Sequence, residues 1–88
     1  MNSNLTNHAS TRMRQRGISS NIIDVVETFG KPQHDNHGGI RVMIPKKRIK
    51  VLEKKYPYLK PVLEKAVGIY LVLSSNTHAV LTVGHYSH

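Results

Sequence analysis

His8, Arg12 and Arg16 stand four residues apart. On a helix that spacing puts them in one stripe, one side chain per turn. An imidazole beside two guanidinium groups is a set able to hold and protonate a phosphodiester. Arginine brings permanent charge in a planar fork matched to phosphate oxygens. Histidine is the side chain that titrates near neutrality without help. A solvated cationic helix face has the same spacing, and Arg12 lies only about 100° round the helix from an apolar stripe. A structural role for it is equally open.

A second candidate lies near the other end, in Thr82-Val83-Gly84-His85-Tyr86. Read as a strand, the segment sends Thr82 and His85 to opposite faces, because they differ by an odd number of positions. A bulge at Gly84 would re-aim His85; without one, Thr82 shares a face with Tyr86 and His85 shares one with Val83. His34-Asp35-Asn36-His37 has the residue types of a metal site, but three or four ligands with fixed supports are normally needed. Asn, Asp and Gly are also the usual turn formers, so a turn and no metal is the expectation. Lys46-Lys47-Arg48-Ile49-Lys50 suits tracking of phosphates without sequence readout. Base stacking would rest on Phe29, Tyr56, Tyr58, Tyr70 or Tyr86.

No Ser-His-Asp set, P-loop, dinucleotide fingerprint or catalytic carboxylate pair is recognisable. Histidine, arginine, lysine, threonine and tyrosine remain, and they suit metal-independent cleavage of RNA. One imidazole takes the 2′-hydroxyl proton, another protonates the leaving 5′-oxygen, and Arg or Lys stabilises charge on phosphorus. DNA lacks the internal nucleophile. The helix stripe offers His8, Arg12 and Arg16 to such chemistry, and the last strand offers Thr82, His85 and Tyr86. Arg41, Lys46, Lys47 and Arg48 would bind flanking substrate. No cofactor is required.

Composition agrees with an anionic partner. The 88 residues carry 13 Lys and Arg against 5 Asp and Glu, a formal charge of +8. Such an excess favours attraction to polyanions, chiefly nucleic acid, with an accidental charge balance or an acidic protein partner as the alternative. The length suits one small domain. There are no cysteines, so disulfides, thiolate metal sites and Cys nucleophiles are excluded. The chain has no apolar run of about 18 residues and a polar, basic start, so a cytoplasmic protein without a membrane anchor is expected.

The elements that must position these residues are legible in part. Thr6 caps a helix to about residue 16, with Leu5, Ala9 and Met13 as its apolar stripe. Gly17 fits the left-handed position after it. Ser19 or Ser20 opens a second helix to Phe29, which Gly30-Lys31-Pro32 ends. Residues 33–39 read as a polar loop with at most a short irregular strand at its start. Ile40 to Ile44 alternate as a strand stopped by Pro45. Ile49, Leu52, Tyr56, Leu59 and Leu63 have helical spacing broken by Pro57, which predicts helices over 46–55 and 60–66. Val67 to Leu73, apolar on both faces, predicts a covered central strand. A turn at 74–77 leads to a partner strand over 79–83. The fold class is α+β: two N-terminal helices on a small curved antiparallel sheet, with an inserted helical segment between the first and second main strands.

His8-Ala9, Arg12-Met13 and Arg16-Gly17-Ile18-Ser19, with Leu81-Thr82-Val83-Gly84-His85, resemble a small bacterial domain family of unknown function. Its members look like H-A-x-x-R-M-x-x-R-G-I-S near the start and V-I-T-V-G-H near the end. That family is grouped with the barnase–EndoU–colicin–RelE-like (BECR) nucleases, many of them RNA-cleaving toxins. The resemblance covers residues 5–44 and 67–86 and departs from the family over 46–66. It implies a single BECR-like domain over 1–88, with an RNA-cleaving site between the first helix and the last strand. His8, Arg12, Arg16, Thr82 and His85 are the positions it carries over: His8 and His85 then become the acid and base, in either order, with Arg12 and Arg16 on the phosphate and Thr82 or Tyr86 as a supporting donor. A toxin-type ribonuclease paired with an acidic antitoxin-like protein is the expectation. The alternatives are a non-catalytic nucleic-acid-binding or regulatory module, and a protein-interaction module using the 46–66 helices.

Overall fold

The computed structural model describes residues 5–34 and 38–86. Helix α1 spans Asn7–Gln15 and opens as its sequence dictates: the Thr6 hydroxyl accepts from the Ala9 N–H at 3.2 Å. It closes at Gly17, where φ is +64°. There the Gly17 N–H donates to the Arg14 carbonyl at 3.3 Å and the Ile18 N–H to that of Met13 at 2.9 Å. Those two bonds satisfy carbonyls the helix end would leave bare, and they need a left-handed residue between them. A Cβ at Gly17 would meet no neighbour, so Gly17→Ala isolates the backbone cost. We expect a loss of about 1 kcal/mol, read as a lower urea midpoint at unchanged slope.

Helix α2, Ser20–Phe29, is capped by the Ser19 hydroxyl accepting from the Ile22 N–H at 3.4 Å. Its face of Ile22, Ile23 and Val26 is buried. Gly30 lets the chain leave the helix tightly, since a Cβ there would run into the Val26 carbonyl and the Val42 side chain.

Strand β1 follows at once over Lys31–His34, then β2 over Gly39–Met43. The sequence reads Gly30-Lys31-Pro32 as a terminator and 33–39 as loop, so β1 starts earlier and is more regular than expected. All four of its residues are exposed, so no apolar alternation marks it; pairing with β2 makes it a strand. Asp35, Asn36 and His37, the rest of the weighed metal motif, lie outside the described residues. Helix α3, Lys46–Lys55, a 3-10 turn over Pro57–Leu59 and α4, Lys60–Ala66, realise the broken helical spacing. Phe29 and Tyr56 pack ring to ring at 5.7 Å, joining α3 to the end of α2.

Strand β3 covers Ile69–Ser74 and β4 covers Val80–His85. Val67 and Gly68 form the turn into β3 instead of its start. The sheet runs β1-β2-β3-β4, antiparallel throughout. Ile40, Val42, Ile69, Leu71, Leu73, Val80 and Val83 form one core with Ala9, Ile23, Val26 and Leu63. The helices therefore cover one face of the sheet. The other face carries Arg41, Met43, Tyr70, Val72 and Thr82, exposed or half-buried. Strand β3 is thus covered on one face only, contrary to its reading as apolar on both. Among the described residues no helix is long and apolar enough to cross a membrane.

Candidate functional site

Helix α1 lies along β4, and its start is tied to the start of that strand. Leu5 bridges Val80 in parallel. The Thr6 N–H donates to the Val80 carbonyl at 3.0 Å, and its hydroxyl to the Leu81 carbonyl at 3.3 Å. Ala9, fully buried, is the face α1 turns to the core. His8 and Arg16 are exposed, and Arg12 is half-buried, as its proximity to the apolar stripe implies.

The nine residues of α1 span roughly 13 Å at 1.5 Å each. From Leu81 to His85 the strand also advances about 13 Å. Helix α1 packs against β4, with His8 in its first turn next to the tie at Val80, Arg12 one turn on, and Arg16 at its C-cap.

The register decides which face each β4 side chain takes. His85 pairs with Ile69, Val83 with Leu71, Thr82 with Val72 and Gly84 with Tyr70. Directly paired residues share a face. His85 consequently lies with Ile69 and Leu71 on the helix-bearing side, together with α1, and is exposed at the strand end. Thr82 lies with Val72 on the open side and cannot join His85. The strand irregularity falls opposite Val72 and Leu73, where Leu81 is the extra residue, and not at Gly84.

Gly84 has another cause. A Cβ there would stand 2.8–2.9 Å from the Tyr70 ring and hydroxyl, so the glycine makes room for the Tyr70 side chain across β4. Gly84→Val is expected to destabilise by about 1–3 kcal/mol through overpacking, with a Tyr70→Leu background recovering part of the loss in urea unfolding.

The remaining candidates divide between two places. Arg41 is on the open face, its guanidinium 4.6 Å from the Tyr70 ring centroid. Tyr86 continues the β4 ladder, its N–H donating to the Gly68 carbonyl at 2.8 Å, and alternation puts it on the same face as Thr82. These three are separated by the sheet from His85. Lys46, Lys47 and Arg48 are exposed in the first turn of α3. Arg48 has structural work as well, its Nε–H donating to the Phe29 carbonyl at 3.2 Å. Three cations at a helix N-terminus oppose the helix dipole, so helix stability does not explain them.

One grouping escapes sequence reasoning. Glu27, His34 and His78 line a groove of about 420 Å³ with Ile40, Val42 and Leu73. They come from α2, β1 and the β3–β4 turn, and no spacing along the chain connects them. Among the described residues no set of His, Asp or Glu could hold a metal ion. No family model, curated protein or solved structure matches this chain.

Proposed function

We propose that this protein is a metal-independent ribonuclease working along the α1–β4 edge. The observation that carries the reading is that exposed His85 lies on the helix-bearing side of the sheet, the side on which α1, with exposed His8 and half-buried Arg12, packs against β4. On this reading the two imidazoles act on one phosphodiester held between α1 and the end of β4. One takes the proton of the 2′-hydroxyl, whose oxygen attacks phosphorus; the other gives a proton to the 5′-oxygen as its bond to phosphorus breaks. Arg12 and Arg16 neutralise the phosphorane charge. Thr82 has no part in this chemistry. Lys46 and Lys47 attract the flanking strand without reading it; Arg41, on the open face of the sheet over Tyr70, has no part in it. The resemblance to the BECR nucleases points the same way, and an acidic protein covering these cations would act as an inhibitor.

A second reading, RNA binding without cleavage, is favoured by the placement of the two histidines towards opposite ends of β4. Both readings predict RNA affinity that falls steeply with salt. Incubating RNA with the purified protein in EDTA separates them. The nuclease cuts under those conditions; RNA that is retained but intact would leave only the binding module.

A further inference from the structure

We propose that the groove between α2, β1 and the β3–β4 turn receives an unstacked nucleobase of the RNA; this rests on the ribonuclease reading for its source of bases. The floor is apolar. Ile40, Val42 and Leu73 keep 7%, 4% and 8% of their surface accessible, while Leu71 and Val80 keep none. A flat ring can lie on such a floor. At about 420 Å³ the groove is in the lower part of the range of small-ligand pockets, roughly 300–1,000 Å³.

The polar rim fits a heterocycle. His34 and His78 reach the groove from separate strands' ends, and a neutral imidazole offers both a donor and an acceptor. Base edges carry the same mixture. Glu27 already has a partner within the fold, yet a carboxylate has about four lone-pair sites and can accept from an exocyclic amine as well. No Lys or Arg stands among the residues lining the groove.

His78 adds an independent observation. It is the only non-glycine among the described residues with positive φ, +60°. Its N–H donates to the Ser74 carbonyl at 2.8 Å, and the Ser74 N–H donates to that of Ala79 at 2.9 Å. Glycine or asparagine serves such a turn with less strain. A histidine held there instead puts an imidazole in the groove lining together with His34.

Position connects the groove to the cleavage edge. Leu73 pairs with Val80, whose carbonyl holds Thr6 at the start of α1. Leu73, the near edge of the groove floor, is therefore one strand spacing, about 4.8 Å, from the start of β4, and Ile40 and Val42 are two. A base attached to RNA held at His8 can enter the groove.

The test is an NMR titration of the full chain with the four nucleoside 5′-monophosphates, using ribose 5-phosphate as the base-free control. The expected result is saturable movement of the His34 and His78 ring signals and the Val42 and Leu73 methyls with at least one nucleotide, and none with ribose phosphate. His78→Gly should melt no lower than the parent and weaken nucleotide binding at least tenfold. His34→Ala, at an exposed position, should weaken it similarly. Equal shifts with ribose phosphate, silence with all four nucleotides, or unchanged affinity in both variants would overturn the proposal. RNA cleavage with a silent groove would remove this inference alone; nucleotide in the groove with no RNA cleavage would remove the ribonuclease reading and leave the groove assignment standing.

Discussion

Replacing His85 with alanine is expected to slow RNA cleavage by about 10²–10⁴-fold, the usual range for a general acid or base. His85 is exposed at the end of β4, so its removal opens no cavity and leaves no buried polar group unpaired. Urea unfolding should stay within about 0.5 kcal/mol of the parent. A rate loss without a stability loss would place the histidine in the chemistry and not in the scaffold. His8→Ala should behave alike, being exposed on the first turn of α1. The pair acts on one phosphodiester, so the double variant should lose far less than the product of the single losses. Unchanged cleavage by both single variants would sink the two-histidine assignment. Binding measured beside cleavage adds a second control, since the guanidinium groups of Arg12 and Arg16 remain.

Leu71→Ala should have the largest effect on stability, about 2–5 kcal/mol. Leu71 is fully buried and sits in the middle of β3, paired with Val42 on one side and Val83 on the other. The residues that surround it come from both neighbouring strands and the helical layer, so the void cannot close without moving several elements at once. A domain of this kind has only about 5–15 kcal/mol in total. The urea midpoint should therefore fall by a large fraction while the slope holds. Val72→Ala is the matched comparison. Its side chain is half-buried on the open face beside Thr82, and it should cost under about 1.5 kcal/mol. Equal losses at the two positions would contradict the one-sided core.

Local features of the fold were legible in the chain because local chemistry decides them. Thr6, Ser19 and Gly17 act within one helical turn, and each occupies the position its type implies. Pro57 divides the 46–66 segment because it cannot extend a helix from within, and the structure places the 3-10 turn there. Strand β1 was not legible, since Lys31-Pro32-Gln33-His34 has no apolar alternation and becomes a strand only through β2. Glycine also carries two meanings that a sequence does not separate. Gly84 suggested a bulge, yet it accommodates the Tyr70 ring, while the irregularity is at Leu81.

The site divides in the same way. The stripe of His8, Arg12 and Arg16 follows from helix periodicity, and the half-burial of Arg12 follows from its angle to the apolar stripe. Sequence parity left the face of His85 open between two outcomes; only the register with β3 selects the helix side and removes Thr82. The groove with His34 and His78 depends on three segments far apart in the chain. A histidine in the Ser-Ser-Asn-Thr-His turn was its one trace, and turn composition alone does not show a left-handed residue.

The central claim is RNA cleavage through the internal 2′-oxygen without a metal. Its most direct test is a single-turnover assay in EDTA on an RNA oligonucleotide and on the same oligonucleotide with 2′-deoxy sugars. The account predicts cleavage of the ribose strand to products ending in 2′,3′-cyclic phosphate, and an intact deoxy strand. No cleavage in EDTA, or equal cleavage of both strands, would contradict it.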